Sequence, residues 1–181
     1  IQVQNDGTVW LAGQQGNIIF YDGIKWNKIK SPVVKDSLKS FLSGDINDLQ
    51  MLSSESGWGV GKDGLIIKYE NGEWQKYSSP TNNHLNKIFM KDKSSGWIVG
   101  LKGTILFYDG TKWIEQNSGT PENLNSIKVD KSGRAYIAGD NSTLLIYEGN
   151  TWTKDEGVKY LEDSFTDVEV IDDFASENLI W

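Results

Sequence analysis

Apolar side chains in this chain come in short alternating runs rather than long periodic ones. In LNSIKV (124–129) the apolar positions are Leu124, Ile127 and Val129, and the turn-forming DKSG (130–133) follows at once. Similar runs of β-branched and aromatic residues recur between clusters of Gly, Asn and Asp, which is the chemistry of short strands joined by tight turns. Helical spacing is nearly absent. The pattern predicts an all-β chain.

The runs repeat in register. Sixteen residues after Trp10, Trp58, Trp97 and Tyr136 stand Trp26, Trp74, Trp113 and Trp152. Three residues after each of the first set stand Gly13, Gly61, Gly100 and Gly139, and eleven after stand Tyr21, Tyr69, Tyr108 and Tyr147. Upstream, Ile46, Leu49 and Met51 share their spacing with Leu85, Ile88 and Met90, then with Leu124, Ile127 and Val129, and finally with Phe165, Val168 and Val170. These starts lie 39, 39 and 41 residues apart, a period expected of four-stranded propeller blades.

Each unit reads as four strands. The first is a run such as LNSIKV (124–129), the second is short, as in WIVG (97–100), the third follows a Gly-bounded turn, as TILFY (104–108) follows GLKG (100–103), and the fourth opens at the second tryptophan. The expected fold is therefore an all-β β-propeller of four-stranded blades, with four repeats at about 1–45, 46–84, 85–123 and 124–164 and the start of a fifth at 165–181. Ile1 and Val3 fall at the positions of Ile127 and Val129, so the two ends duplicate one another. A larger ring, or one completed by a second chain through open blade edges, is the expectation. The tryptophans and tyrosines read as packing between blades, since large flat rings fill the space between twisted sheets.

The phrases GWIVGLKGTILFYDGTKW (96–113) and SGWGVGKDGLIIKYENGEW (56–74) resemble the repeats of bacterial propellers related to the photosystem II stability/assembly factor. They are also similar to BNR or Asp-box repeats, in which an Asp-Gly turn precedes a tryptophan. The resemblance implies a propeller, commonly in an exported protein. The turns YDGIKW, YENGEW, YDGTKW and YEGNTW lack the Ser/Thr and double glycine of the Asp-box. The assembly-factor role implies an arginine-rich patch, whereas this chain has Arg134 alone.

Charge narrows the partners. Residues 155–181 carry nine acids and Lys159, a balance of −8, and the rest of the chain is close to neutral at +1. No basic stripe is present for a phosphate backbone, so nucleic acid is not an expected partner. No window is apolar enough to insert in a membrane. Cysteine is absent, which excludes disulfides, thiolate metal sites and cysteine nucleophiles.

Candidate chemistry mostly dissolves on inspection. GVGKDG (59–64) matches G-x-G-x-x-G, but the strand-like LIIKY follows where a dinucleotide site needs a helix. A sialidase needs several guanidinium groups to clamp a carboxylate. His84, the single histidine, sits in a polar loop and reads as solvated. The late acids, Glu162 to Glu177, do not follow a calcium-loop spacing. Asn141-Ser142-Thr143 is a glycosylation sequon that matters only in a secreting eukaryote. No cofactor or metal is expected.

The functional expectation is a non-enzymatic scaffold for protein–protein interaction, exported to the periplasm, cell surface or exterior. A glycan-binding propeller using blade-junction aromatics is the alternative, and a glycoside hydrolase with two carboxylates converging in the channel is the third reading. Propellers bind through loops on one face. The candidate partner contacts are Gln14, Gln15, Lys62, Asp63, Leu101, Lys102, Asp140 and Asn141 in the turns after the second strands. Val33 and Phe41 join them from SPVVKDSLKSFL (31–42), which reads as a short helix capped by Ser31.

Overall fold

A computed structural model describes residues 1–33, 44–158 and 163–170. Among them the chain forms four antiparallel sheets of four strands, each in simple sequence order. Blade 1 comprises β1 (Gln2–Val3), β2 (Val9–Ala12), β3 (Ile18–Tyr21) and β4 (Trp26–Ile29). Blade 2 comprises β5 (Ile46–Ser53), β6 (Ser56–Gly61), β7 (Ile66–Glu70) and β8 (Glu73–Lys76). Blade 3 runs through β9 (Leu85–Met90), β10 (Gly96–Gly100), β11 (Ile105–Tyr108) and β12 (Trp113–Gln116). Blade 4 follows with β13 (Leu124–Val129), β14 (Ala135–Gly139), β15 (Thr143–Glu148) and β16 (Thr151–Lys154). This is the architecture of a β-propeller, with β5 against β9 and β9 against β13 at the inner side. GVGKDG ends one strand and turns into the next, so it is a hairpin and not a phosphate cradle.

The core is a series of sandwiches between blades. Trp10 of blade 1 meets Trp74 of blade 2 edge to face, with ring centroids 6.0 Å apart. Trp58 meets Trp113 in the same way at 5.4 Å, and Trp97 meets Trp152 at 6.4 Å. Each such pair contributes about 0.5–1.5 kcal/mol beyond the area it buries. Three apolar clusters follow the three junctions. Trp26 departs from the expected packing role: it is 52% exposed, because no tryptophan-bearing sheet face lies against it among the described residues. Ile1, Val3 and Ile24 of the same blade are also exposed.

The free edge of each inner strand carries unpaired backbone groups that need partners. Side chains of the preceding blade supply them. Asn47 donates to the Leu85 carbonyl at 2.8 Å, Asn86 to Leu124 at 2.8 Å and Asn125 to Phe165 at 2.9 Å. Gln50 grips both groups of Met90, donating to its oxygen at 3.0 Å and accepting its N–H at 2.6 Å. Gln2 makes the same two-sided contact with Met51. Residues 163–170 are laid on blade 4 as the inner strands are laid on theirs. The Phe165 N–H bonds the Gly139 carbonyl at 2.9 Å, and the Ile46 N–H bonds Gly13 at 3.1 Å.

Candidate functional site

The turns that carry most of the sequence-predicted partner residues share one backbone conformation. Gln15, Asp63, Lys102 and Asn141 all have left-handed backbones, with φ of 58°, 55°, 57° and 51°. Glycine, asparagine and aspartate enter that region readily, whereas Gln15 and Lys102 do so against preference. A bond across the blade junction holds each of them there. The N–H of Gln15 donates to Asp45 Oδ1 at 2.7 Å, that of Asp63 to His84 Nδ1 at 2.9 Å, and that of Lys102 to Asn123 Oδ1 at 3.1 Å. The Asn141 N–H reaches Ser164 Oγ at 3.4 Å.

The four acceptors are the residues that immediately precede the inner strand, or the inner segment, of the next unit. Three of them also bind their own blades through the carbonyl: Asp45 accepts from Lys62, His84 from Leu101 and Asn123 from Asp140, at 2.9–3.0 Å. Each of these residues is thus a buckle, side chain to the preceding blade and main chain to its own. Asp45 adds an ion pair with Lys62 at 2.6 Å, and Asn123 adds a bond to Asp140 at 2.9 Å. The Lys62 contact and the Gln15 N–H hold the Asp45 carboxyl below its ordinary pKa. Bonds from Asn125 and Asn123 do the same for Asp140.

The predicted residues therefore divide. Lys62, Asp63, Asp140 and Asn141 engage their side chains with Asp45, His84, Asn123 and Glu122, Asn141 donating to Glu122 at 2.7 Å. Gln15 and Lys102 project outward at the exposed crest of their turns, flanked by Gln14 and Leu101. Val33 is half-buried and wedged against Gly16 and Gly44, so it is a packing residue here. Ser31 Oγ accepts the Val33 N–H at 3.2 Å, as a cap would. Phe41 and the rest of the expected helix lie outside the described residues. His84 is not merely a solvated loop residue. Its Nδ1 is an acceptor, which places the ring proton on Nε2 in this arrangement.

The Asp-Gly turns at the opposite ends of the strands are clamps of another kind. Asp22 accepts the N–H groups of Ile24 and Lys25 at 2.9 and 2.8 Å. Asp109 accepts those of Thr111 and Lys112, both at 2.8 Å, and the Thr111 hydroxyl at 2.7 Å. These bonds, the hydroxyl's first, lower the Asp109 pKa to about 2. The carboxylates are consumed in shaping hairpins.

Solved structures share this fold. YCF48 bound to D1 peptide matches 90% of this chain and 55% of its own, with a TM-score of 0.66 and 18% identity. YCF48 from Cyanidioschyzon merolae matches 84% of this chain and 56% of its own, with a TM-score of 0.62 and 13% identity. The extracellular domain of BT4673 from B. thetaiotaomicron gives a TM-score of 0.63 at 16% identity over 91% of this chain and 23% of that one. The fold is that of these propellers. The likeness to the photosystem II assembly factor holds at that level, and the chain spans just over half the length of either YCF48 structure. No protein-family model and no curated protein matches the sequence.

At the three junctions the tryptophans Trp10, Trp58, Trp74, Trp97 and Trp113 are buried. Their ring faces are covered by the neighbouring blade, where a sugar-stacking site would need them open. This geometry disfavours sugar stacking on these five rings.

Proposed function

We propose that this chain is a non-enzymatic propeller scaffold that binds protein partners through the face bearing the turns at residues 13–16, 61–64, 100–103 and 139–142, in an exported or cell-surface protein. The observation that carries the reading is the row of four left-handed residues. One backbone geometry is repeated at all four turns, and at two of them the side chain, Gln15 or Lys102, is left free at the exposed crest. Backbone strain of about 1–2 kcal/mol at Gln15 and Lys102 is tolerated where neighbouring bonds enforce it, and such strain clusters at recognition surfaces. YCF48, solved with a bound D1 peptide, offers a precedent for peptide capture on this fold. The extracellular Bacteroides domains support export.

The test is selection of peptides from a displayed library on the purified chain, followed by affinity measurement on variants. Q15A and K102E are expected to weaken the selected peptides together, whereas N5A on the opposite turns leaves them unchanged. Peptides indifferent to both turn variants would remove this face from the function.

A further inference from the structure

A cleft of about 630 Å³ opens between the outer strands of blades 1 and 2. One wall runs through Lys28, Ile29 and Lys30 to Pro32, and the other through Glu73, Trp74, Gln75 and Lys76. Trp74 is 4% exposed, yet its indole N–H has no hydrogen-bond partner among the described residues. The homologous position shows what is missing. Trp152 donates its indole N–H to Gln116 Oε1 at 2.9 Å, and Gln116 stands three residues after the tryptophan opening β12. Three residues after Trp26, which opens β4, stands Ile29. Isoleucine has no acceptor to offer. Trp97 and Trp113 share the deficit, but Trp74 is the one of the three that lines this cleft.

Two further features describe what would fit. The Tyr77 N–H bonds inward to the Ile66 carbonyl at 2.9 Å, so by strand alternation the backbone groups of Trp74 and Lys76 point away from β7. An edge with free, alternate backbone groups is a template for an extended chain. The cleft also carries Lys28, Lys30 and Lys76 against Glu73 alone, and none of the three lysines forms an ion pair among the described residues.

We propose that this cleft binds an extended acidic peptide segment, with a main-chain carbonyl of the peptide accepting the Trp74 indole N–H and its carboxylates meeting Lys28, Lys30 and Lys76. The proposal rests on the protein-binding reading of the chain but places this partner between the outer strands, beside the blade 1 turn, where Gln15 borders Lys28, Ile29 and Lys30. An unsatisfied buried donor costs more than a made bond returns, so a ligand supplying the acceptor recovers that cost on binding. The lysines steer an acidic chain toward the site and disfavour a basic one.

The probe is a fluorescein-labelled hexapeptide of alternating Glu and Val, with alternating Lys and Val as control, titrated into the full chain at low salt. Indole N–H resonances are followed by NMR, with W74F identifying the Trp74 signal. Saturable binding of the acidic peptide is expected, with a downfield shift of the Trp74 signal and no binding of the basic peptide. I29Q supplies the acceptor internally, as Gln116 does, and should weaken binding about tenfold. K28E and K76E are surface changes that should each weaken it several-fold, so the result does not depend on I29Q folding. Absence of saturable binding overturns the proposal, as does binding that leaves the Trp74 signal unmoved or survives both charge reversals. It is also overturned if replacing residues 34–43 by a Gly-Ser linker shifts the Trp74 signal without peptide, because the chain itself then fills the cleft. Failure here would leave peptides that depend on Gln15 and Lys102 unaffected, so the two readings fall separately.

Discussion

His84 Nδ1 accepts the main-chain N–H of Asp63 at 2.9 Å and stands 3.4 Å from the Asp63 carboxylate. Its own carbonyl takes the Leu101 N–H at 2.9 Å, so one residue fastens the turn of blade 2 to that of blade 3. The same station is filled by Asp45 and Asn123 at the neighbouring junctions. What the position requires is a short side chain with an acceptor. H84A should therefore cost about 1 kcal/mol in urea unfolding. H84N, which copies Asn123, should recover most of it. Amide exchange at Asp63 provides the local readout, accelerated in H84A and restored in H84N. Equal exchange in all three proteins would show that the turn holds itself.

Close backbone approach divides two glycines that look alike in the repeat. A Cβ on Gly61 would collide with the Asp45 carbonyl, the same oxygen that accepts the Lys62 N–H, whereas a Cβ on Gly13 meets nothing within 4 Å. G61A should destabilise by about 3 kcal/mol, since backbone cannot yield as a side chain does. G13A should lie within about 0.5 kcal/mol of the parent. Thermal unfolding of the pair decides the matter, and matched losses would mean that blade 1 closes more tightly than its contacts indicate.

The strand order and the junction aromatics were legible because strand alternation and a fixed repeat both leave marks of residue type. The buckle was not. Asp45, His84, Asn123 and Ser164 recur in register but share no side-chain class, and only the acceptor atom near the backbone unites them. A search for like residues passes over a position selected for one atom. Asn47, Asn86 and Asn125 are identical and could have been found, yet an asparagine second in a strand gives no hint that it caps a neighbouring edge. The exposure of Trp26 was hidden for the opposite reason. Its sequence context matches that of Trp74, and burial is decided by the blade that lies against it. The turns themselves were legible as a set, but which of their side chains remain free depended on the bonds they make.

Two aspartates should move stability with pH in opposite directions. Burial raises the Asp48 pKa above its ordinary 3.8, against the bond from the Ile88 N–H and the charge of Lys87. A folded-state value above the unfolded one favours folding at low pH, and that contribution is lost as pH climbs through the folded value. D48N keeps an acceptor for Ile88 and removes the buried charge, so it should be at least as stable as the parent at pH 7. Asp109 has the reverse sign. Its pKa is held at about 2, so its contribution is present above 3.8 and disappears as pH falls toward 2. D109N should flatten the acid limb of the unfolding curve and lower the limb above pH 4 by a constant amount without changing its slope. A D48N protein less stable than the parent at pH 7 would show that the Lys87 contact outweighs the burial.

Trp26 and Trp74 occupy the same place in successive blades, each at the start of a fourth strand beside a tyrosine, Tyr21 at 5.0 Å and Tyr69 at 5.3 Å. Only Trp74 also receives an indole from the preceding blade, that of Trp10. The two sites should separate in both energy and quenching. W74A removes a buried ring and should cost about 3–5 kcal/mol. W26A removes one that is 52% exposed and should cost much less, about 1 kcal/mol. Iodide should quench an accessible part of the tryptophan emission, and W26F should reduce that part while W74F leaves it in place. Should W26A prove as costly as W74A, with no loss of accessible emission in W26F, the open face of blade 1 is covered in solution. The covering surface would then have to supply what Trp10 supplies to Trp74, a flat aromatic edge presented by a strand, and a search for the partner would begin with proteins that display one.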